Sequence, residues 1–359
     1  MHIMVVGVKD RPTYIRSLLP RLRDSENKLT YVSADPEADI QIPLSTGSDI
    51  EFLIKFTIYV VLSRFPDDVD VVHARRIVTL FPYTIYSTNA KLVATCPGPL
   101  TEEMAMNHSK WFVRLYNIIE RLSLFKTDII IAQSESSKYY LISKYSTIED
   151  KITVIPFGAD SDKFYPRDKK RMRQKHGIPI GQNVILYAGR FSDVKNISLL
   201  INAFSEVRQG DDWQLLLAGE GETEHEIRDL IQSKDLDPFV SFLGYLPQNE
   251  LGEVMSLSDC FVLTSISEGG PKVIREAISC GLPVVSTDVG EANEIITNGE
   301  NGYVVEEFES KAIASRIQDV INSQETFRQD CINMSTGFDS NYREIVNIYT
   351  DLTDSMCVS

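Results

Sequence analysis

The sequence predicts two α/β domains, each built on a doubly wound parallel sheet. Short apolar runs rich in β-branched residues alternate with amphipathic segments along the whole chain, as strands and helices do in such a sheet. A length of 359 residues is too great for one typical core and suits two. A turn-rich stretch, 157–166, separates two series of this pattern and indicates a linker.

Each series supplies its own set of elements. The first predicts strands at Ile3–Val6, Leu29–Val32, Val69–His73, Leu92–Thr95, Ile129–Ala132 and Ile152–Ile155, and helices around Tyr14–Leu22, Glu51–Arg64, Met104–Phe125 and Ser137–Tyr145. The second predicts strands at Val184–Tyr187, Gln214–Leu217, Val240–Leu243, Cys260–Leu263 and Pro283–Ser286, interleaved with helices.

We therefore expect a first domain over residues 1–160 and a second over 161–339. A last helix, about 340–359, follows a break at Gly337 and could pack back on the first domain. Two such domains facing each other would form a central cleft at the carboxyl ends of both sheets, where ligands bind in open α/β folds.

Composition excludes several classes of protein. The net charge of -15 argues against nucleic-acid binding, which needs an excess of Lys and Arg. The five cysteines are far apart and form no C-x-x-C pair, so we expect free thiols in a reducing compartment. They are Cys96, Cys260, Cys280, Cys331 and Cys357.

The sequence shows no segment suited to crossing a membrane. Its most apolar window, Phe52–Leu62, has eleven residues and contains Lys55, well short of the ~20 that a spanning helix needs. The N-terminal apolar run is too short for a signal-peptide core. We expect a cytoplasmic protein, or one peripheral at the inner face of the membrane.

The strongest functional pattern runs over 267–283. It follows an apolar strand, turns through Gly269 and Gly270, and continues as a helix with Pro271 at its first position and Gly281 at its stop. Glycines before a helix N-terminus let the backbone approach a ligand, and the exposed N–H groups attract a diphosphate.

The same stretch contains two glutamates. Glu268 lies in the loop and Glu276 about two turns into the helix. Both could reach one ligand, because carboxylates accept hydrogen bonds strongly from sugar and ribose hydroxyls. The alternative is a capped helix with two solvated glutamates.

Two more strands run into loops of a similar kind. One ends in Gly189-Arg190, and Lys195 follows five residues later. Arginine offers a planar fork to phosphate oxygens and lysine a compact charge, so the two could neutralise a departing diphosphate. The other strand runs into Gly219 and Gly221, which a tight strand-to-helix connection explains equally well.

Together these motifs resemble glycosyltransferase family 4, a large group of retaining enzymes with the GT-B fold of two Rossmann-like domains facing a cleft. The family's E-x7-E motif appears as Glu268 through Glu276, and its Gly-Arg…Lys element as Gly189, Arg190 and Lys195. Further similar stretches are Leu217–Gly221, Phe242–Tyr245, Gly281–Thr287, Ala132–Glu135 and Lys151–Asp160.

The resemblance implies a role for each residue. Arg190 and Lys195 would hold the donor diphosphate, Glu268 would contact the transferred sugar, and Glu276 would bind the ribose. The other donor-binding residues implied are Gly189, Gly219, Gly221, Tyr245, Gly269, Gly270 and Pro271. The implied reaction is front-face substitution with retention, in which the leaving diphosphate helps to deprotonate the acceptor. It needs no protein base and no cofactor besides the nucleotide-sugar donor, and the implied acceptor is a glycan, lipid-linked or at the cell surface.

The chain departs from the family in three places. Gly270 stands where an aromatic residue is frequent, Cys96-Pro97-Gly98 stands where many members have a His-Asp pair, and the early glycine loop keeps only Gly7. The last two lie on the acceptor side, so they bear on the acceptor more than on the donor.

Two other groups have open interpretations. His73 near a strand's carboxyl end is either an acceptor-side residue or a structural histidine with satisfied hydrogen bonds. The run Asp67–Asp70 looks like an acidic metal motif but precedes a strand. We interpret it as a solvated loop and expect no essential metal.

The segment Met104–Lys126 is both basic and amphipathic. Its apolar residues are Trp111, Phe112, Leu115, Ile118, Leu122 and Phe125, and its basic residues are Lys110, Arg114, Arg121 and Lys126. Such a helix could rest on an anionic membrane. Alternatively its apolar stripe packs on the core and its basic residues face solvent.

Three other functions remain open at this point. A nucleotide-sugar epimerase or a phosphorylase-like enzyme shares the implied fold, but the first would need acidic and His residues on both sides of the cleft and the second a lysine-bound pyridoxal phosphate. The third is a non-catalytic nucleotide-sugar-binding protein, which would bind donor without turning it over.

Overall fold

The strands in the described part of the chain belong to two parallel sheets, one in each of two units. The computed structural model describes all residues except 9–14, 24–26, 46–48, 63–67, 87, 97–109, 157, 209, 211, 269–270, 336–337 and 358–359. The first unit comprises Met1–Pro156 and Asn341–Ser359, and the second comprises Phe157–Ser340.

The sheet of the first unit has seven strands in the order β3-β2-β1-β4-β5-β6-β7. They are β1 (His2–Val6), β2 (Lys28–Ser33), β3 (Ile40–Gln41), β4 (Val71–Ala74), β5 (Lys91–Cys96), β6 (Ile129–Ala132) and β7 (Ile152–Val154). Its α-helices are α1 (Ile15–Arg23), α2 (Asp49–Leu62), α3 (Pro82–Ile85), α4 (Lys110–Lys126) and α5 (Glu135–Lys144). Two 3₁₀ segments, Ile77–Leu80 and Ser146–Lys151, follow β4 and α5.

The second unit repeats this arrangement with six strands. Helix α6 (Lys169–His176) precedes the sheet. The strands are β8 (Asn183–Ala188), β9 (Trp213–Ala218), β10 (Val240–Gly244), β11 (Cys260–Leu263), β12 (Val284–Thr287) and β13 (Gly302–Val305). The order is β10-β9-β8-β11-β12-β13. The remaining helices are α7 (Ile197–Val207), α8 (Glu224–Ser233), α9 (Gln248–Leu257), α10 (Lys272–Ser279), α11 (Ala292–Ile295), α12 (Ser310–Asn322) and α13 (Gln324–Met334).

The central strands of the two sheets are apolar and buried. β1 is buried along its length, and β8 is buried from Val184 to Ala188, as expected where both faces of a sheet are covered. Each unit has its own apolar core. Strand order reverses between β1 and β4 in one sheet and between β8 and β11 in the other, which gives each unit a switch point where doubly wound folds bind ligands. The prediction of two doubly wound parallel sheets is confirmed.

A few boundaries differ from the predictions. The edge strands β3 and β13 were not predicted, because β3 has two residues and β13 begins with Gly302. The fourth strand begins at Val71 rather than Val69. The predicted helix start at Met104 lies outside the described residues, as do Asp67 and Gly337.

The last helix, α14 (Phe338–Cys357), belongs to the first unit from Asn341 onward. The Tyr342 hydroxyl donates to the Arg21 carbonyl at 2.8 Å. The buried Tyr349 hydroxyl is hydrogen-bonded to His73 Nδ1. These contacts attach α14 to both the α1 region and β4.

Helix α4 presents its apolar stripe to solvent rather than to the core. Trp111, Leu115, Ile118, Leu122 and Phe125 are all exposed, while the opposite side buries Glu120, Ser123 and Leu124. The interpretation that the stripe packs on the core is therefore wrong for the described part of the helix.

No helix in the described ranges has both the length and the apolar character needed to cross a membrane. The four cysteines whose side chains are described, Cys96, Cys260, Cys280 and Cys331, are buried free thiols, as predicted.

Candidate functional site

The candidate site lies within the second unit, at the carboxyl ends of β8 and β11. These strands are hydrogen-bonded neighbours at the switch point. Gly189 and Arg190 follow β8, and the loop from Thr264 to Glu268 follows β11. Adjacent parallel strands end at the same edge, so the sheet brings together two motifs that are about seventy residues apart in sequence.

Lys195 and Glu268 form an ion pair at this edge. Lys195 Nζ contacts Glu268 Oε1, and the same carboxylate oxygen accepts a hydrogen bond of 2.7 Å from Ser265 Oγ. Both charged side chains are partly buried. The structure thus pairs the cation and the acid that the sequence assigned to different parts of a donor, and it adds Ser265, which sequence reasoning missed.

Hydrogen bonds from one side chain and one backbone amide join the two loops. Thr264 Oγ1 donates to the carbonyls of Lys195 at 3.2 Å and Asn196 at 3.0 Å. The Ile266 amide donates to the Val194 carbonyl at 2.8 Å. Lys195 ends a 3₁₀ turn, Asp193–Lys195, and Asn196 adopts a left-handed conformation with φ 47° before α7. Thr264 was not identified from the sequence. The signal that could have identified it is its position directly after the apolar strand β11.

Arg190 is exposed and lies in the loop that leads from β8 to Lys195. Among the described residues its guanidinium has no polar partner, while its carbonyl accepts a hydrogen bond of 3.1 Å from the Tyr187 hydroxyl. Burial raises the pKa of Tyr187 well above its usual value, and the negative charge of Glu268 raises it further. The guanidinium is thus a solvated cation available to an anion, on a backbone that Tyr187 fixes.

Gly219 and Gly221 are required by close backbone packing. A Cβ on Gly219, whose φ is 141°, would lie 1.9 Å from the Gly189 carbonyl oxygen, and one on Gly221 would lie 2.1 Å from that of Phe191. The loops after β8 and β9 therefore touch through their main chains. This packing agrees with the alternative that a tight connection after the strand requires these glycines. Gly189 takes part in the same contact through its carbonyl oxygen.

Glu276 lies in the second turn of α10 and is half-buried rather than solvent-facing. The pKa of Glu276 is raised to about 7, chiefly by burial and in part by the charge of Asp160, against the charges of Lys272 and Lys163, which lower it. Asp160 Oδ2 lies 3.0 Å from Lys163 Nζ. Glu276 is thus not the fully solvated glutamate of the capped-helix alternative, and charged residues of the segment just after the linker lie near it.

The start of α10 is shifted by one residue from the prediction. Pro271 occupies the N-cap position and the helix begins at Lys272. Gly281 follows the helix with φ 73°, as predicted for its stop. Gly269 and Gly270, the predicted backbone contacts to the donor, lie outside the described residues.

Tyr245 lies farther along the same edge, after β10. Its side chain is exposed, and its amide donates to Glu220 Oε1 at 3.4 Å. Because β10 is two strands from β8, Tyr245 is at the periphery of the site.

His73 of the first unit is buried, with 1% of its surface exposed. Its Nε2 is hydrogen-bonded to Thr95 Oγ1 at 2.7 Å and its Nδ1 to the Tyr349 hydroxyl. Burial lowers its pKa to about 3, so the ring is neutral at physiological pH. These features favour the structural interpretation of His73 over the acceptor-side one.

The acidic run before β4 has structural partners. Asp70 Oδ2 accepts the His2 amide at 2.6 Å, and Asp68 pairs with Lys28. Within the described ranges no three His, Cys, Asp or Glu side chains are grouped as metal ligands. The absence of an essential metal stays a prediction.

Solved structures share this two-sheet architecture. A sucrose-phosphate synthase from Thermosynechococcus elongatus has a TM-score of 0.80 at 19% identity, covering 99% of each chain. An Anabaena protein in complex with UDP and glucose has a TM-score of 0.75 at 20% identity, covering 98% of this chain and 100% of that one. The fold is that of the GT-B glycosyltransferases.

Family models cover most of the sequence. The model described as glycosyl transferases group 1 matches residues 168–336, and the model of glycosyltransferase family 4 matches residues 13–163. The chain belongs to glycosyltransferase family 4. An N-acetyl-alpha-D-glucosaminyl L-malate synthase from Bacillus anthracis is 28% identical over 214 residues, which are 60% of this chain and 55% of the relative. The chain spans about half the length of the first curated relatives it matches.

Proposed function

We propose that this chain is a retaining glycosyltransferase that moves a sugar from a nucleotide-diphosphate donor to an acceptor without a metal ion. The observation that carries the proposal is the Lys195–Glu268 pair at the switch point, on loops one of which also carries the exposed Arg190. Family membership supports the reaction class, and the UDP-bound Anabaena neighbour supports this type of donor.

Lys195 and Glu268 would bind the two parts of the donor that separate when the bond breaks: the cation would bind the diphosphate and the carboxylate would bind the sugar. A donor diphosphate would compete with Glu268 for Lys195 and bind Arg190 as well, which leaves the carboxylate free to accept hydrogen bonds from the sugar. As the bond from C1 of the sugar to the diphosphate oxygen breaks, negative charge grows on the diphosphate, and the two cations stabilise it. The acceptor oxygen bonds to the same face of C1, and its proton passes to the leaving diphosphate.

Glu276 is assigned to the ribose of the donor. Its carboxyl lies half-buried among Asp160, Lys163 and Lys272, a polar group of fixed position on a helix. A ribose lies far from the breaking bond, so this contact would contribute to donor affinity in the ground state as much as in the transition state.

The acceptor is proposed to be a glycan, either lipid-linked or at a cell surface. The capsular polysaccharide biosynthesis glycosyltransferase of Staphylococcus aureus, 30% identical over 263 residues, supports a glycan acceptor. The nucleotide base and the sugar are left to experiment.

The decisive experiment combines donor binding with turnover. Nucleotide sugars are screened by thermal shift, since a ligand that binds the folded state stabilises by RT ln(1 + [L]/Kd). With the donor found, Glu268→Gln should mainly depress kcat and should not lower the affinity for free nucleotide diphosphate, because Glu268 acts on the sugar. Glu222→Gln, an exposed loop glutamate, is the control.

Three outcomes would contradict the proposal in whole or in part. A donor that binds but is never consumed indicates a non-catalytic binding protein. Consumption of the donor without any acceptor, with conversion of its sugar, indicates an epimerase. Full activity of Glu268→Gln removes that residue from the site.

A further inference from the structure

More than half of the large exposed apolar side chains in the described ranges lie on three neighbouring helices of the first unit. Five are on α4, and the others are Ile54, Ile58, Val61 and Leu62 on α2 and Ile85 on α3. Helix α3 contacts both α2 and α4. Apolar patches of this kind on a soluble surface mark a site of interaction.

The five side chains on α4 form a continuous line, called here the α4 stripe: Trp111, Leu115, Ile118, Leu122 and Phe125. Their spacing alternates between four and three residues, which keeps them on one side of a helix. The other side of α4 packs on the 3₁₀ segment Ile77–Leu80. Because one side of α4 packs on the rest of the first unit while the stripe on the other side is exposed, the stripe can bind an apolar partner outside this unit.

The positive charge of α4 favours an anionic partner for the stripe. The helix sequence contains four basic residues and one acidic residue, in a chain of net charge -15. The acidic residue, Glu120, is buried and binds Lys144 Nζ and the Tyr145 hydroxyl, each at 2.6 Å. Arg114 and Arg121 are exposed beside the stripe. The described solvent side of α4 is therefore apolar and cationic only.

A pocket of about 260 Å³ adjoins the C-terminal end of the stripe. Arg121 and Phe125 contribute to it from α4, Lys144 from the end of α5, and Ser146 and Thr147 from the 3₁₀ segment that follows. The Arg121 guanidinium lies 5.8 Å from the centre of the Phe125 ring. The pocket combines cations, hydroxyls and an aromatic ring, which suits a phosphate carried on an apolar molecule. It lies where α4 leads into β6, at the amino edge of the sheet and away from the switch point.

We propose that α4 docks the protein on an anionic phospholipid bilayer. The α4 stripe enters the interface between headgroups and acyl chains, Arg114 and Arg121 contact lipid phosphates, and the pocket accepts one headgroup. Aromatic residues near both ends of the stripe, Trp111 and Phe125, suit the interfacial region. A second copy of the chain is a poorer occupant, because a self-complementary contact would set these cations against each other. Docking is independent of sugar transfer, whereas a lipid-linked acceptor rests on the proposed function.

The test is co-sedimentation of the full chain with vesicles of phosphatidylcholine, with and without phosphatidylglycerol. We expect binding to the anionic vesicles that weakens as salt rises, because the basic residues act through screened charge. Ile118→Gln should lower the vesicle affinity about tenfold, since a large apolar side chain no longer enters the interface. The control is Ile180→Gln in the second unit, which is matched in exposure at 57% against 56% for Ile118.

A second pair of variants tests how much the positive charge of α4 contributes to vesicle binding. Arg121→Gln should lower the affinity for anionic vesicles severalfold, while Arg171→Gln, an exposed arginine of α6, should not. Failure of the wild-type chain to bind anionic vesicles, or equal losses in both members of a pair, would overturn the proposal. So would dimers in sedimentation equilibrium that Ile118→Gln dissociates. Donor binding measured by thermal shift on the same variants should be unchanged, which separates failure of docking from failure of the proposed function.

Discussion

Lys195 and Glu268 neutralise each other in the structure, although each is assigned to a different part of the donor. Two partly buried opposite charges stabilise a loop arrangement only while both are present, and removing one leaves the other without compensation. A ligand that brings its own negative charge can take the place of Glu268 beside Lys195. Under the proposed function, Glu268 would therefore occupy the place of the donor diphosphate beside Lys195 until the donor binds.

The cations provide the first prediction at the scale of single residues. Lys195→Ala and Arg190→Ala should each lower turnover by about 10²–10³-fold, which is the usual loss when one preorganised electrostatic donor is removed. Steady-state kinetics measure the effect, and Arg171→Ala on α6 serves as a control of equal charge change. Unchanged activity in either variant would remove that residue from the site. Arg190 is exposed, so its variant should keep the melting temperature of the wild type.

Glu276 provides a second prediction, on stability against pH. Because burial raises its pKa from 4.5 to about 7, the folded state holds this proton more tightly than the unfolded state does. The free energy of unfolding should therefore fall as pH rises from about 4.5 to 7. Glu276→Gln lacks this effect, so its stability relative to wild type should increase on the order of 2 kcal/mol across that range.

Denaturant unfolding at pH 5 and pH 8 measures this difference, with Glu222→Gln as the exposed control. A constant difference between wild type and Glu276→Gln at both pH values would contradict the assigned burial. Donor affinity gives a second readout: if ribose binds the carboxylate form, affinity should rise as pH passes 7 in the wild type and stay flat in Glu276→Gln.

At the scale of elements, a cluster of buried charges ties α6 to the sheet of the second unit. Asp259 Oδ2 accepts hydrogen bonds of 2.6 Å from Arg173 Nη2 and from the Val184 amide, and Asp259 Oδ1 contacts Lys169. Asp259 immediately precedes β11, and Val184 lies in β8. One carboxylate thus fixes α6 against the two strands whose carboxyl ends form the candidate site.

This cluster supports a third prediction. Asp259→Ala should lower the free energy of unfolding by about 3–5 kcal/mol, because it leaves the buried Arg173 without its counter-charge. Asp319→Ala removes an exposed partner of Arg316 and should cost at most about 1 kcal/mol. Urea unfolding of both variants compares them. Equal effects would mean that the buried cluster contributes no more than a surface pair.

The elements also show what the sequence could and could not predict. Apolar runs between turn signals identified the long strands, and Pro271 and Gly281 bounded α10 to within a residue. Periodicity revealed the apolar stripe on α4 but not whether the stripe packs on the core or is exposed. An amphipathic pattern shows which residues share one face of a helix, not what that face contacts. The burial of Glu276 was missed for a related reason, since Asp160 and Lys163 approach it from a segment more than a hundred residues earlier.

At the scale of the whole molecule, the two units repeat one topology, while their chemistry differs. In the second unit the switch point carries charged side chains on adjacent loops. In the first, His73 near the corresponding position is buried, neutral and bound to α14. The donor-side residues could be proposed from sequence because they form compact motifs after strands. Residues for an acceptor could not be proposed in the same way, because the first half of the sequence carries no such motif. The surroundings of His73, for example, depend on the contact between β4 and α14.

The last prediction concerns divalent metal and the charge of the whole chain. A protein of net charge -15 gathers cations at its surface, yet under the proposed function Arg190 and Lys195 would already supply positive charge to the departing diphosphate. Excess EDTA should therefore leave the rate of sugar transfer nearly unaltered. The sharper comparison uses Lys195→Ala, in which added Mg²⁺ should restore part of the lost rate, because a bound cation can neutralise the same oxygens. Complete loss of wild-type activity in EDTA, reversed by Mn²⁺ or Mg²⁺, would show that the two side chains do not replace a metal and that the leaving group is stabilised by an ion.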